Sequence, residues 1–187
     1  MRSHNYYYFV ATLQSLEYGG LVPMEQSAFI QLCQKYLTKK DADFLCFCQF
    51  DAKITAELLK EAAGSDFIQR FLLWERDLAL SLTYHRTQKL GRSQEDEMPL
   101  PAIAAEITEA AQNAVYTDNP RLAMISLDTL RWQMLDSLIA THDFFGVSNV
   151  YAYLLKLILM ERLGKFDKEL GAKMYRESYG FVMGGSA

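Results

Sequence analysis

The sequence contains few of the residues with which small proteins cross-link or ligate a fold. Among 187 residues it has three cysteines, Cys33, Cys46 and Cys48. An odd number of cysteines in apolar surroundings, without a secretory spacing, predicts free thiols in a reducing interior. We expect these thiols to fill space in a core. A zinc site is not expected, because Cys46 and Cys48 have no second pair of ligands at a suitable spacing.

Long hydrophobic runs are also missing. The longest apolar stretch, residues 150–160, is interrupted by Lys156 and is much shorter than the ~20 residues that span a bilayer. Residues 1–14 include one early arginine, but their short apolar run is broken by Thr12 and Gln14, which is not the pattern of a signal peptide. We therefore expect a cytoplasmic protein that does not insert into a membrane directly, so that any membrane association is through a partner.

A surplus of basic residues is absent as well. The net charge is −4, and the lysines and arginines are interspersed with acidic residues, which argues against binding to nucleic acid. The Gly164–Lys165 pair has no upstream glycine at the spacing of a phosphate-binding loop. The sequence has neither a His-Glu-x-x-His motif nor the Glu-x-x-His pairs of a di-iron bundle. We predict no cofactor, no metal and no enzymatic activity.

Two histidines are the remaining candidates for a general base. His85 has Ser81 and Lys89 one turn away and no carboxylate at those positions, so a surface or partly buried structural role is the preferred interpretation. His142 precedes Asp143 at a predicted break between helices, where an aspartate is more often a turn or cap residue than part of a catalytic triad.

What the sequence does contain is strong helical periodicity, and half of its residues are apolar. The clearest signal covers residues 65–92, where Ser65 can cap the start, acidic residues precede basic ones, and Gly91 can end the helix. A second long segment, residues 119–140, has Pro120 in its first turn and a similar apolar stripe. The pattern indicates that one type of helical unit is used twice.

Shorter helices are predicted around these two. Pro23 should lie in the first turn of one of them, and Thr38 can cap the next. Residues 43–50 are apolar on all sides and fit either a buried helix or a strand, of which we prefer the helix. The shorter segments are residues 6–16 (helical or extended), 23–37, 51–63, 102–115, 147–163 and 167–179.

One segment has the composition of a solvated linker. Residues 93–101 combine two prolines with an acidic run. They divide the chain into an N-terminal helical lobe, residues 1–92, and a C-terminal helical lobe, residues 102–187, packed on the first. We predict an all-α, two-lobed helical bundle with approximately repeated long helices.

Charged and aromatic residues interrupt the apolar stripes of the long helices, and two roles are open for them. Charges are seldom buried unless they are paired, so an internal ion-pair network is one role. The other is a surface for a partner, since Tyr, Trp and Arg dominate binding hot spots. The ion-pair candidates are Glu75, Asp77, Asp128, Glu161 and Arg162, and the partner-contact candidates are Tyr84, Arg86, Arg131 and Trp132.

Four stretches carry a resemblance to a known family: residues 5–19, 74–91, 127–138 and 150–175. They resemble the bacterial DUF2764 family, which is distantly similar to the C subunit of archaeal-type V-ATPases, called d in eukaryotes. The repeated helix of the C subunit carries an acidic residue, an amide and a downstream basic residue. Glu75, Asp77 and Arg86 align with its charged positions, whereas Ala79 or Leu80 stands where the amide is usual.

The resemblance implies a non-catalytic component of a V-type ATPase or ATP synthase, similar to the C subunit. Such a component couples the central stalk to the proteolipid ring during ion transport and contains no cofactor of its own. Its implied partners are the central-stalk subunits and the proteolipid ring. Two other functions remain open: a free-standing helical adaptor whose groove accepts a partner helix, and a small helical enzyme that uses His85 or His142.

Overall fold

The computed structural model describes residues 6–50, 53–91, 103–139 and 145–165, and these residues form helices and connecting loops without a strand. The all-α prediction is therefore confirmed for this part of the chain. The predicted linker, His142 and the predicted last helix lie outside the described residues. The described α-helices are α1 (Tyr7–Thr12), α2 (Gln26–Tyr36), α3 (Lys39–Asp43), α4 (Ala56–Glu61), α5 (Asp66–Lys89), α6 (Ala105–Tyr116), α7 (Pro120–Leu138) and α8 (Val147–Lys165).

Capping residues set the ends of several helices. The side-chain oxygens of Thr38, Ser65 and Asn119 each accept a hydrogen bond from a backbone N–H in the first turn of α3, α5 and α7. Gly91 follows the end of α5 with a φ of 62°, a left-handed conformation that glycine adopts without strain. The sequence-based ends of α5 and α7 are confirmed to within a few residues.

Two predicted helices differ from the structure. Residues 43–50 do not continue as an α-helix, because α3 ends at Asp43 and is followed by one 3₁₀ turn, Phe44–Phe47. The chain then turns to bury Cys48 and Phe50. Pro23 lies in the loop before α2 and not in its first turn.

Two more corrections concern the short helices and the cysteines. α4 begins only at Ala56, because the side chain of Thr55 caps it by accepting a hydrogen bond from the Leu58 N–H. A second 3₁₀ turn, Ala62–Gly64, follows it. Cys33 and Cys48 are buried, as predicted for core filler, but Cys46 is exposed.

The relative directions of the long helices follow from their contacts. Asp128 and Asp136 of α7 meet Arg162 and Lys156 of α8 respectively, so these two helices are antiparallel. α7 is also antiparallel to α5, because Arg131 meets Glu75 while the earlier residue Leu127 packs near the later residue Leu78.

α6 runs in the same direction as α5. Near the middle of α5, Leu78 packs with Ile107 and Ala111 of α6 in a small cluster of buried residues. At the end of α5, the Lys89 ammonium donates a hydrogen bond to the backbone oxygen of Val115, at 2.7 Å. α6 therefore covers the second half of α5.

α8 is the central helix of the larger core. Its buried residues lie on several sides and include Val150, Tyr151, Leu154, Leu155, Leu157 and Leu159. The ring of Phe29 in α2 lies 4.8 Å from that of Tyr153, and the ring of Phe67 in α5 lies 6.1 Å from that of Tyr151. None of the described helices has both the length and the apolar character that crossing a membrane requires.

Candidate functional site

A cluster of buried ion pairs joins the three long helices. The Arg131 guanidinium on α7 forms a bidentate pair with Glu75 on α5, with N–O distances of 2.8 and 3.2 Å. It also donates a hydrogen bond to Asp128, at 2.9 Å. Arg162 on α8 contacts the same Asp128 oxygen at 3.5 Å. We call these four residues the ion-pair cluster.

The cluster is mostly buried, and its most exposed side chain, that of Arg162, is 22% exposed. Asp128 is fully buried, and Glu75 and Arg131 are each 8% exposed. The guanidinium carbons of Arg131 and Arg162 lie 5.3 and 5.6 Å from the ring centroid of Phe50, which therefore covers both cations. Such a site has two arginines and two carboxylates in balance, and it is suited to holding helices in register.

The pKa values of two neighbouring groups follow from this environment. Burial alone would lower the pKa of Arg131, but the adjacent Glu75 and Asp128 outweigh it and raise that pKa overall. Burial and the charge of Asp128 raise the pKa of Tyr18. Arg131 is thus a permanent cation in this cluster.

An open groove lies between residues 72–90, at α5, and residues 120–131 of α7, and we call it the α5–α7 groove. Its volume is about 1150 Å³, and the loop before α4 and the end of α6 also contribute to its lining. More than half of the lining residues are apolar, including Leu72, Ala79, Leu82, Ala123, Met124 and Leu127. Glu75 and Arg131 line it as well, so the ion-pair cluster reaches the groove.

Basic residues outnumber acidic ones in this lining. Six of the lining residues are basic and one, Glu75, is acidic, although the whole chain carries a net charge of −4. The basic residues are Lys53, Arg76, Arg86, Lys89, Arg131 and Arg162. The α5–α7 groove therefore combines an apolar surface with excess positive charge.

The four partner-contact candidates lie in different environments. Arg131 is in the ion-pair cluster and not on an exposed surface. Arg86 is exposed and lines the groove. Trp132 is partly buried against the core, and the Lys156 ammonium lies 4.6 Å from its ring centroid. Tyr84 is partly buried, and its hydroxyl accepts a hydrogen bond from the Gln88 amide at 2.7 Å.

The five ion-pair candidates lie in three different places in the structure. Glu75, Asp128 and Arg162 meet in the ion-pair cluster. Asp77 instead pairs with its neighbour Arg76 at 3.0 Å. Glu161 lies elsewhere on α8 and accepts a hydrogen bond from the first backbone N–H of α2, that of Gln26, at 2.7 Å. A carboxylate is favoured there, at the positive end of a helix.

Phe50, Lys53, Lys89 and Met124 belong to the groove or the cluster but were not singled out from the sequence. Lys89 could have been found, since it lies three residues after Arg86 and so occupies the same stripe of α5. Phe50, Lys53 and Met124 are brought to the site by tertiary packing. No local signal in the sequence indicates that placement.

His85 is buried beside another unusual polar residue. His85 is 5% exposed and Ser81, one turn earlier, is fully buried. Within the described residues, neither the His85 ring nitrogens nor the Ser81 hydroxyl has a hydrogen-bond partner. The Tyr84 ring meets the His85 ring edge-on, with centroids 5.2 Å apart. This arrangement gives His85 no carboxylate to orient it, and a substrate has little access to it.

We predict that Ser81→Ala stabilises the protein by about 0.5–1.5 kcal/mol, because it removes a buried hydroxyl without a partner and improves helix propensity. Urea denaturation of the two proteins measures this change. Thr83→Ala is the matched control on the same helix: its hydroxyl is exposed and bonded to the Ala79 carbonyl at 2.8 Å, so it should change stability by less. A marked loss of stability in Ser81→Ala would contradict the prediction.

Metal chemistry has no candidate site among the residues that the structure describes. There, no group of three or more His, Cys, Asp or Glu side chains is close enough together to hold an ion. The chemistry available to the ion-pair cluster and the α5–α7 groove is that of binding and packing.

Comparison with known proteins gives one match. Residues 106–184 match the model of a family described as Protein of unknown function (DUF2764). The matched region contains α7 and α8, and with them Asp128, Arg131 and Arg162 of the ion-pair cluster. The match supports the DUF2764 resemblance seen in the sequence. No curated protein and no solved structure matches this chain.

Proposed function

We propose that this protein is a non-catalytic component of a V-type ATPase or ATP synthase, similar to the C subunit, that couples the central stalk to the proteolipid ring. The proposal includes the two-lobed arrangement of the C subunit and association with the inner face of the membrane through those partners. It draws on the resemblance of the four sequence stretches, and the family match over residues 106–184 supports the DUF2764 part of that resemblance.

The observation that best supports a mechanical role is the ion-pair cluster. It joins the middle of α5 to α7 and α8 through Glu75, Asp128 and Arg131, whose side chains are at most 10% exposed, and Arg162, whose side chain is 22% exposed. A buried, hydrogen-bonded ion pair is strongly directional, so sliding or rotating one helix past another would break it. A component that transmits torque needs this type of resistance to shear, and it needs no chemistry.

Affinity purification of the tagged protein from its native cells tests the proposal. We expect central-stalk and proteolipid subunits of a V-type complex to co-purify, and an unrelated protein with the same tag, expressed at the same level, is the control. Failure of every V-type subunit to co-purify, in cells where the rest of the complex assembles, would defeat the proposal.

The second candidate is a free-standing helical adaptor, and the α5–α7 groove favours it. An open, largely apolar groove between two helices is a common receptor for a partner helix. The two candidates differ in their partners, since an adaptor would co-purify with proteins outside any V-type complex. Adjacency of the gene to those of V-type ATPase subunits would favour the coupling component.

A further inference from the structure

We propose that the α5–α7 groove binds one amphipathic helix from a partner protein, with the acidic side of that helix against the basic residues of the groove. This inference deepens the proposed function by naming the chemistry of the partner, and it applies to the coupling component and to the adaptor alike. Its experiment uses only the purified chain and peptides, so it can fail while the V-type association holds, or the reverse.

The openness of the groove, more than its size, favours a helix over a small molecule. Pockets for small ligands have volumes of about 300–1,000 Å³ and enclose most of the ligand. The α5–α7 groove is larger, at about 1150 Å³, and it is open along one side. Its volume equals that of roughly two to three turns of a helix 10–12 Å across.

The surface of the groove suits the apolar side of a helix. Ala79 and Thr83 lie on the exposed stripe of α5 that lines the groove, and their small side chains allow another backbone to come close. Met124 and Leu127 line the opposite side on α7. Methionine is flexible and polarizable and adapts to the shape of a partner. Leu90, at the end of α5, lines the groove and is 68% exposed.

The charge of the groove decides which helix fits. Three of its cations are balanced by carboxylates: Arg131 and Arg162 by Glu75 and Asp128, and Arg76 by Asp77. For Lys53, Arg86 and Lys89, no carboxylate within the described ranges lies within salt-bridge distance. Lys89 donates a hydrogen bond to a backbone carbonyl in the last turn of α6 and lies 5.6 Å from the ring centroid of Tyr116, but neither contact supplies a carboxylate. A partner with carboxylates at the groove's edge would neutralise these three cations.

A peptide library measures the charge that the groove prefers. The probes are displayed helical peptides of about 18 residues, long enough for a central helix to form, with leucines at i, i+3, i+4 and i+7. The remaining positions are randomised between Glu and Lys. Selection on the purified chain should enrich glutamate at the charged positions, and the enriched peptides should bind more weakly as salt concentration rises.

Three variants show whether binding occurs in this groove. The double variant Lys53→Glu, Arg86→Glu should weaken binding of an enriched peptide at least tenfold in fluorescence anisotropy. Ala79→Trp should weaken it similarly by filling the groove without altering charge. Arg70→Glu is the control, because Arg70 is an exposed cation of the same helix that does not line the groove, and it should retain the parent affinity.

Several outcomes would overturn the proposal. Enrichment of lysine, or no preference between the two charges, would exclude an acidic partner. Absence of any enriched helix would exclude helix docking. A loss of binding free energy in Arg70→Glu about half that in the Lys53/Arg86 variant, in proportion to the number of cations reversed, would show that affinity follows net charge and not the groove. A dimer in sedimentation of the purified chain that Ala79→Trp abolishes would make a second copy of this chain the occupant.

Discussion

Arg131→Met is expected to lower the free energy of unfolding by about 3–5 kcal/mol, the usual cost of removing one partner from a buried ion pair. The substitution keeps the volume of the aliphatic stem but leaves the Glu75 carboxylate, which is 8% exposed, without its bidentate partner. Asp128 keeps its contact with Arg162. The loss therefore comes mainly from one uncompensated charge in the interior.

Urea denaturation of three variants tests this explanation. Arg76→Met makes the same chemical change at a pair whose side chains are 41% and 26% exposed, and it should cost less than about 1 kcal/mol. Adding Glu75→Gln to Arg131→Met should restore part of the lost stability, because it removes the negative charge that Arg131→Met leaves unpaired at Glu75. If Arg131→Met cost no more than Arg76→Met, the cluster would not hold the helices together.

Stability is also expected to fall steeply in alkaline solution, beginning near pH 9. Burial raises the pKa of the Cys33 thiol from 9.0 to about 12. Burial, and to a smaller extent the negative charge of the nearby Asp41, raises the pKa of Tyr151 above its ordinary value of 10.0. Above these ordinary values the unfolded chain releases protons that the folded chain retains, so rising pH favours unfolding. Each group contributes up to about 1.4 kcal/mol per pH unit.

The direction of this effect follows from the two pKa values of Cys33. Its contribution to stability is fully present below pH 9, near the pKa of the thiol in the unfolded chain, and is lost progressively as the pH rises to the folded pKa of about 12. Urea denaturation at pH values on either side of 9 and 10 measures the slope. Cys33→Ala and Tyr151→Phe should each flatten it, whatever their effect at neutral pH. Tyr8→Phe, at a tyrosine that is 87% exposed, should leave the slope unchanged. If neither Cys33→Ala nor Tyr151→Phe flattened the slope, the prediction would be contradicted.

The helices could be predicted from the sequence where their ends are encoded locally. Ser65, Gly91 and Asn119 mark the ends of α5 and the start of α7 through caps and a left-handed glycine, which act within a few residues. Residues 43–50 could not be predicted in this way. Their apolar side chains give no periodicity, and the 3₁₀ turn Phe44–Phe47 is selected by packing against the rest of the core.

The ion-pair cluster was only partly predictable. Charges that interrupt an apolar stripe indicate either an ion-pair network or a contact surface, and for Arg131, a contact candidate, the sequence left both roles open. Its principal partner, Glu75, is 56 residues earlier in the chain, so the choice depends on which helices become neighbours. The α5–α7 groove is still less visible in the sequence, because it is the space left beside the contact that α5 and α7 make at the ion-pair cluster.

The closing of α2 against α8 sets the order in which the protein can fold. The Gln26 N–H and Glu161 are 135 residues apart in sequence yet hydrogen-bonded, and the ring of Phe29 packs on that of Tyr153. During synthesis the first helices leave the ribosome long before α8 exists. The apolar side chains with which they contact α8 stay uncovered until then, and such exposed surfaces are where chaperones act and aggregation begins. Folding of the core is thus a late event, completed only after the final described helix has emerged.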